Sequence, residues 1–137
     1  MEIVPHNRAL GLELLTLEDA FAVCHLPYDV ALVGNPATGV LHGGAITALM
    51  DACCGAAVFM ALDVPKPIAT LDLRIDYLRP ATPGQAVLAE ARCFKTTKNV
   101  AFVRSVAYHD RVDDPIATAT GTFMLQTQTV RAEGARG

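Results

Sequence analysis

The chain contains 137 residues, of which 52% are hydrophobic and 18% are charged, and its formal net charge is −3. This length suits a single domain spanning residues 1–137, and the apolar content excludes an intrinsically disordered chain. Charges of both signs are scattered along the chain, so the basic stripe of a nucleic-acid-binding protein is excluded too.

Composition also bears on location and assembly. The first ten residues include Glu2, His6 and Arg8 and lack the apolar core of a signal peptide, so we expect a cytoplasmic protein. The four cysteines show no C-x-x-C spacing, which predicts reduced, buried thiols and no metal site, and no cofactor is expected. A mean hydropathy of +0.33 is high for a small monomer and favours a homodimer or homotetramer.

The first third of the chain reads as strands followed by a loop. Residues 12–26 show a weak alternation of apolar and polar side chains, which predicts a pair of strands. Residues 28–41 are rich in glycine, proline and asparagine, including Gly34, Asn35 and Gly39, and are expected to form an ordered loop.

The segment from Gly44 to about Leu62 is apolar except at Thr47, Asp51 and Gly55. A helix that is apolar on all sides must be enclosed on most of its circumference. Its length approaches that of a membrane span, but the central charge of Asp51 favours a buried helix of a soluble protein without a membrane contact.

After this helix the apolar period changes to two. Leu71, Leu73, Ile75 and Tyr77 alternate with polar residues, which predicts an antiparallel strand with these four side chains on a core. Further strands are predicted at residues 86–94, 100–108 and 116–125, and residues 129–137 are expected to fray. The predicted fold class is α+β, with a curved antiparallel sheet wrapped around one long central helix.

Asp51 is the most informative residue, because it is the single charge in a helix committed to burial. An unpaired buried carboxylate costs much free energy, and a carboxylate in such surroundings can serve as a general base or nucleophile. The alternative is an Asp51 that faces solvent or another subunit at the helix surface.

His42, Gly43 and Gly44 stand where the loop becomes the helix. Two glycines there allow a ligand to approach the backbone, where the first N–H groups of a helix lack intrahelical acceptors and can hold an oxyanion. The alternative is that the glycines serve a tight turn and His42 caps the helix.

In order and spacing, these segments resemble the hotdog-fold acyl-CoA thioesterases, in particular the phenylacetate-degradation (PaaI-type) branch. The resemblance covers most of the chain and is strongest in Gly34–Asn35, in Gly39–Gly44, at Asp51, in Thr70–Pro80 and in Ile116–Phe123. It implies a hotdog fold and hydrolysis of an acyl- or aryl-acyl-CoA to the free acid and coenzyme A.

The resemblance also implies roles for single residues. Asp51 matches the catalytic carboxylate, and Gly44, with Gly43 beside it, matches the backbone N–H that polarises the thioester carbonyl. Asn35 matches a loop asparagine that positions the nucleophile, although it lies one residue further from His42 than in some relatives. Thr70 matches a Ser or Thr from the neighbouring subunit, and His42 would mainly shape the loop.

Several points stay open from the sequence. Asp51 could deprotonate a water molecule or attack the thioester directly to form an anhydride. A hydratase or dehydratase that uses His42, and a non-catalytic acyl-CoA-binding module, are the alternative functions. The coenzyme A phosphates need cations, and basic residues near strand ends are candidates, namely Arg79, Lys95, Lys98 and Arg104.

Overall fold

The computed structural model describes residues 4–126. Its main layer is a six-stranded antiparallel sheet in the order β1-β2-β6-β7-β8-β5, and β3 and β4 form a separate small ribbon. The elements are α1 (Pro5–Leu10), β1 (Glu13–Glu18), β2 (Phe21–Leu26), a 3-10 turn (Val30–Leu32), β3 (Val33–Asn35), β4 (Val40–Leu41), α2 (Gly43–Met60), β5 (Ile68–Tyr77), β6 (Val87–Thr96), β7 (Val100–Tyr108) and β8 (Ala117–Leu125).

The long helix α2 supplies the centre of the core, as predicted. Eight of its residues are buried, including Leu49, Met50 and Val58, and they pack against the apolar face of the sheet. By length and composition alone α2 could cross a membrane. Its burial against the sheet instead makes it the core helix of an α+β domain.

The predicted pair of strands near the N-terminus and the four strands after α2 are confirmed, but their order in the sheet did not follow from the sequence. β5 does not pair with β6, the next strand along the chain; it pairs with β8 and forms one edge of the sheet. The strands β6, β7 and β8 are consecutive neighbours.

Two of the four core positions expected in β5, Tyr77 and Leu71, were wrong. Tyr77, the last residue of the strand, is 49% exposed. Leu71 was expected on the core beside Leu73 and Ile75, yet it is 52% exposed. The pairing of β5 with β8 shifts register between Thr70 and Asp72, so that Leu71 is the extra residue of a β-bulge. A shift of one residue moves side chains to the other face of the sheet. The bulge therefore turns Thr70, and not Leu71, toward α2.

Two other regions differ from the expectation or lie beyond it. The N-terminal helix α1 was not predicted, because none of its six residues is buried and no apolar period marks it. The loop 28–41 is ordered, as expected, but contains the 3-10 turn and the β3–β4 ribbon. The expected fraying of residues 129–137 lies outside the described residues.

Candidate active site

Asp51 lies on α2, half-buried, opposite the bulge of β5. The hydroxyl of Thr70 donates a hydrogen bond to the Oδ1 atom of Asp51 at 2.8 Å, within the same chain. A hydrogen bond to an ionised group is stronger than one between neutral groups, so it partly offsets the cost of holding this carboxylate in an apolar helix. The resemblance implied that Thr70 comes from a neighbouring subunit. This contact forms within one chain, and a role of Thr70 across subunits stays a prediction.

An open cavity of about 690 Å³ surrounds this pair. Its wall combines one face of α2, the inward face of β5 and the start of α1. Its polar lining residues are Asp51, Thr70 and Thr47, together with His6 and Asn7 of α1. The other lining residues are small or apolar, and they are Val4, Gly44, Ala48, Ala52, Gly55, Ile68, Ala69, Leu73 and Phe123. A carboxylate at the mouth of an apolar cavity is the arrangement expected of a hydrolytic site for an apolar substrate.

At the start of α2, His42 is the N-cap residue. Its Nδ1 atom accepts a hydrogen bond from the N–H of Gly44 at 2.8 Å, and its carbonyl oxygen accepts from the N–H of Ala45 at 3.0 Å. A side chain on Gly44 would meet the His42 ring, since a Cβ atom there lies 2.9 Å from Nδ1. The interpretation of His42 as a helix cap is therefore correct.

The cap bears on the predicted oxyanion donor. The N–H of Gly44, which was predicted to polarise the thioester carbonyl, is engaged by His42. The N–H of Gly43, the first residue of the helix, has no intrahelical acceptor, and no other hydrogen bond found within residues 4–126 occupies it. Gly43 therefore offers the available donor at this helix start.

Two hydroxyl groups converge on the carbonyl oxygen of Gly43. Tyr77 donates to it at 2.7 Å, and Thr47 Oγ1 lies 3.1 Å from the same oxygen and 2.7 Å from the Tyr77 hydroxyl. β5 thus contacts α2 at two positions of the candidate site, through Thr70 at Asp51 and through Tyr77 at Gly43.

Asn35 lies in the turn before α2 and does not line the Asp51 cavity of its own chain. Its side-chain oxygen accepts from the N–H of Ala37 at 3.0 Å, and its carbonyl oxygen accepts from Gly39 at 2.8 Å. Gly39 has a φ of 79°, and its carbonyl oxygen accepts from the Tyr28 hydroxyl at 2.7 Å. Asn35 therefore holds the turn between β3 and β4, and its predicted contact with the nucleophile stays a prediction.

The basic residues that were assigned to coenzyme A also lie outside this cavity. Arg79 contacts the carbonyl and carboxylate oxygens of Asp114 at 3.1 and 3.4 Å and lines a separate polar cavity of about 380 Å³. Arg104 stacks over the Phe94 ring at 4.0 Å, and Lys98 lies in the turn between β6 and β7. Their binding of phosphate stays a prediction.

The four cysteines are free and buried, as predicted. Burial, together with the negative charge of the nearby Asp51, raises the pKa of Cys54 to about 12, and burial also raises the pKa of Cys93. A thiol that stays protonated is a poor nucleophile. Within residues 4–126 no group of three or more acidic, histidine or cysteine side chains could hold a metal ion.

Comparison with protein families adds to this geometry. A family model described as the thioesterase superfamily matches residues 38–114, which is more than half of the 137 residues. The chain belongs to the thioesterase superfamily. Thioester hydrolysis is therefore its chemistry, and the predicted family is confirmed.

Relatives and solved structures agree with the superfamily assignment. A medium/long-chain acyl-CoA thioesterase of Salmonella typhimurium, YigI, is 35% identical over 135 residues, covering 89% of this chain and 86% of YigI. A crystal structure from Pseudomonas aeruginosa is 42% identical with a TM-score of 0.82, covering 91% of this chain and 93% of that one. The phenylacetic acid degradation protein PaaI of Thermus thermophilus is 27% identical with a TM-score of 0.78, covering 90% and 100%. The hotdog fold is thereby confirmed.

Sequence reasoning missed two residues of this site. Tyr77 was counted as a core position, and only the contact of its hydroxyl with Gly43 shows a further role. His6 was given no role from the sequence, yet α1 brings it to the wall of the cavity. The alternation along β5, which places Tyr77 on the face toward α2, was a usable signal for Tyr77. Nothing in the sequence indicated that His6 lies at the cavity.

Proposed function

We propose that this member of the thioesterase superfamily hydrolyses medium- to long-chain acyl-CoA esters at a site built from two copies of the chain. In each site, Asp51 of one copy acts on the water or the thioester, and the N–H of Gly43 of the other copy holds the carbonyl oxygen. The observation that carries this proposal is the half-buried Asp51, held by Thr70 at the mouth of an apolar cavity.

The need for two copies follows from the helix itself. Gly43 and Asp51 are separated by 51 − 43 = 8 residues of α2, which is ~12 Å along the axis at ~1.5 Å per residue. A reacting carbonyl requires its oxyanion donor and its attacking group within ~3 Å each. One chain therefore cannot supply both groups to one thioester, although it carries both.

Strand β5 offers the surface that would join two copies. It is a ten-residue edge strand that pairs on one side only, with β8, and Leu71 and Tyr77 are about half exposed. Long exposed edges favour pairing with another strand. Antiparallel pairing of β5 with its own copy would be self-complementary and would set Tyr77 of one chain near Ile68 of the partner subunit.

This pairing would assemble the site. Tyr77 contacts Gly43, and Ile68 lies two residues from Thr70, which contacts Asp51. The donor of one copy would then approach the carboxylate of the other. The same arrangement would cover exposed apolar surface, which supports the expected homodimer.

The chemistry requires few groups. Attack on the thioester carbon places negative charge on the carbonyl oxygen, and one preorganised backbone donor stabilises such charge by ~2.7–4 kcal/mol. Asp51, with Oδ1 fixed by Thr70, accepts the proton of the attacking water, or attacks to form an anhydride that water then cleaves. The bond from carbon to sulfur breaks, and the leaving thiolate takes up a proton to give coenzyme A.

The cavity supports an alkyl chain as the acyl group. From Gly44 to Gly55 it follows one face of α2 over 55 − 44 = 11 residues, or ~16 Å. Small residues of the helix and the side chains of Ile68 and Phe123 line it. Each methylene removed from water contributes ~0.8 kcal/mol, so an elongated apolar groove favours longer chains. The 35% identical YigI is named for medium- and long-chain acyl-CoA; aryl-acyl-CoA is the second candidate.

Thiol release from a panel of acyl-CoA esters tests this function. The panel comprises butyryl, hexanoyl, decanoyl, benzoyl and phenylacetyl esters, assayed with the wild type, Asp51→Asn and Asp51→Ala. We expect turnover that rises with chain length and falls by at least ~100-fold in both variants, because the base or nucleophile is lost. Asp19→Asn, which neutralises an exposed carboxylate in the turn between β1 and β2, is the matched control and should behave as the wild type.

The same assays separate the alternatives. An absorbance change with an enoyl thioester but no free thiol would indicate a hydratase or dehydratase that uses His42. Against that function, Nδ1 of His42 is engaged in the helix cap. Saturable binding without turnover would indicate a binding module, for which a carboxylate held by Thr70 in an apolar cavity has no evident use.

A proline at the first helical position isolates the donor. Proline is well tolerated there, and the φ of −63° and ψ of 136° at His42 suit a residue before proline. A Cβ atom on Gly43 would lie 3.5 Å from the Tyr77 hydroxyl, an ordinary contact. Gly43→Pro removes the N–H, whereas Gly43→Ala retains it, and we expect the proline variant to be ~100-fold less active than the alanine variant.

A further inference from the structure

Tyr77 makes a contact that packing alone does not require. It is 49% exposed, so its ring is not held by a closed core, yet its hydroxyl donates to the carbonyl oxygen of Gly43 at 2.7 Å. The Thr47 hydroxyl lies 3.1 Å from the same carbonyl oxygen and 2.7 Å from the Tyr77 hydroxyl, and either hydroxyl can donate in the contact between them. The oxygen atoms of Thr47, Tyr77 and Gly43 therefore form one hydrogen-bonded cluster.

This cluster acts on the exposed first turn of α2. Gly43 and Gly44 are consecutive glycines at an exposed helix start, where the first turn readily frays. The peptide unit before Gly43 is fixed by the bond from Ala45 to His42, and the unit after it is fixed by Tyr77. With both units held, the direction of the Gly43 N–H is held as well.

We propose that Tyr77 is a positioning residue for the carbonyl-polarising N–H of Gly43, with Thr47 orienting its hydroxyl. This inference rests on the proposed function. It also gives β5 two roles in the reaction, because Thr70 on the same strand holds the carboxylate of Asp51. Pairing of β5 with its copy would then bring the Gly43 N–H, positioned by Tyr77, toward the Asp51 carboxylate of the other copy, positioned by Thr70.

The inference predicts a change in kcat that separates from substrate binding. Tyr77→Phe keeps the ring and removes the hydroxyl, so kcat should fall about five- to tenfold with KM changed less than about twofold. Thr47→Val removes the second hydroxyl and should also lower kcat. Thr47→Ser keeps a hydroxyl and should retain the wild-type kcat. Tyr108→Phe is the matched control. The Tyr108 hydroxyl, on β7, donates to Glu90 on β6, so this variant should leave kcat unaltered.

A double variant gives the decisive readout. If Tyr77 acts through the Gly43 N–H, Tyr77→Phe should not lower activity further in the Gly43→Pro background, where that N–H is absent. A full additional five- to tenfold loss there, or an equal rise in KM, would overturn the inference. Failure of the wild type to release thiol from any acyl-CoA would instead overturn the proposed function, so the two failures are distinguishable.

Discussion

The hydroxyl of Thr70 lies 2.8 Å from the carboxylate of Asp51, although the alternation of apolar residues along β5 assigns Thr70 to the opposite face. The bulge at Leu71 resolves this conflict, because it inserts one residue between Thr70 and Asp72 and reverses the phase of the strand. A local irregularity of the sheet therefore brings Thr70 to Asp51, which is the carboxylate half of the proposed site.

Removing the Thr70 hydroxyl should reduce catalysis. In Thr70→Val the shape is kept but Asp51 loses its donor, a charge-assisted hydrogen bond of ~1.5–3 kcal/mol, so we expect kcat/KM to fall about ten- to 100-fold. Thr70→Ser retains the donor and should stay within a fewfold of the wild type. Equal activities of the valine and serine variants in thiol-release kinetics would show that the hydrogen bond has no catalytic role.

Residue patterns predicted the central helix and its carboxylate, but they did not predict the bulge of β5 or the available N–H donor. The α2 helix followed from an apolar run with one charge, and Asp51 stood out for the same reason. The bulge at Leu71 could not be foreseen, because the strand period continues through it unbroken. The choice between Gly43 and Gly44 depended on which N–H the His42 ring occupies, and spacing carries no such information.

Gly55 should set the length of acyl chain that the cavity accepts. A Cβ atom there would lie 3.6 Å from Cε2 of Phe123, so a larger side chain would fill the groove beyond Asp51. We expect Gly55→Val to lower kcat/KM for decanoyl-CoA by at least ~10-fold while butyryl-CoA changes by less than ~3-fold, since several methylenes lose their burial. Ala56→Val, which adds the same side chain outside the lining, is the control. An equal loss for both substrates would refute this assignment.

Gly34 should be indispensable to the loop that enters α2. A Cβ atom at this position would lie 2.8 Å from the Cα atom of His42, a clash with backbone that no rotamer relieves. We expect Gly34→Ala to lower the free energy of unfolding by ~1–3 kcal/mol, the usual cost of overpacking. Gly43→Ala, where the nearest contact is 3.5 Å, should show no such loss in urea unfolding. Equal midpoints for the two variants would contradict the stated geometry.

The buried thiols predict how stability depends on pH. Burial raises the pKa of Cys54 from 9.0 to about 12 in the folded chain. Between these values the unfolded chain loses the proton and the folded chain keeps it, so this contribution to stability is complete below pH 9 and declines as pH rises, by ~1.4 kcal/mol per unit for one such group. Thermal unfolding from pH 8 to 11 should show this fall.

Cys54→Ala supplies the control for the pH series. It removes one of the titrating thiols, so the decline of stability above pH 9 should be shallower than in the wild type, whatever the effect on stability at neutral pH. Parallel curves would mean that Cys54 titrates alike in the folded and unfolded chains.

Mixed dimers test the central claim most directly. Gly43→Pro and Asp51→Asn are each expected to be nearly inactive alone. In a dimer containing one chain of each, purified through two different tags, one site would combine the Gly43 N–H of the Asp51→Asn chain with the carboxylate of the Gly43→Pro chain. Because a twofold dimer has two equivalent sites, we predict recovery of about half of the wild-type decanoyl-CoA hydrolysis. Mixed dimers as inactive as the parent variants would show that each site draws both groups from one chain and would contradict the composite site.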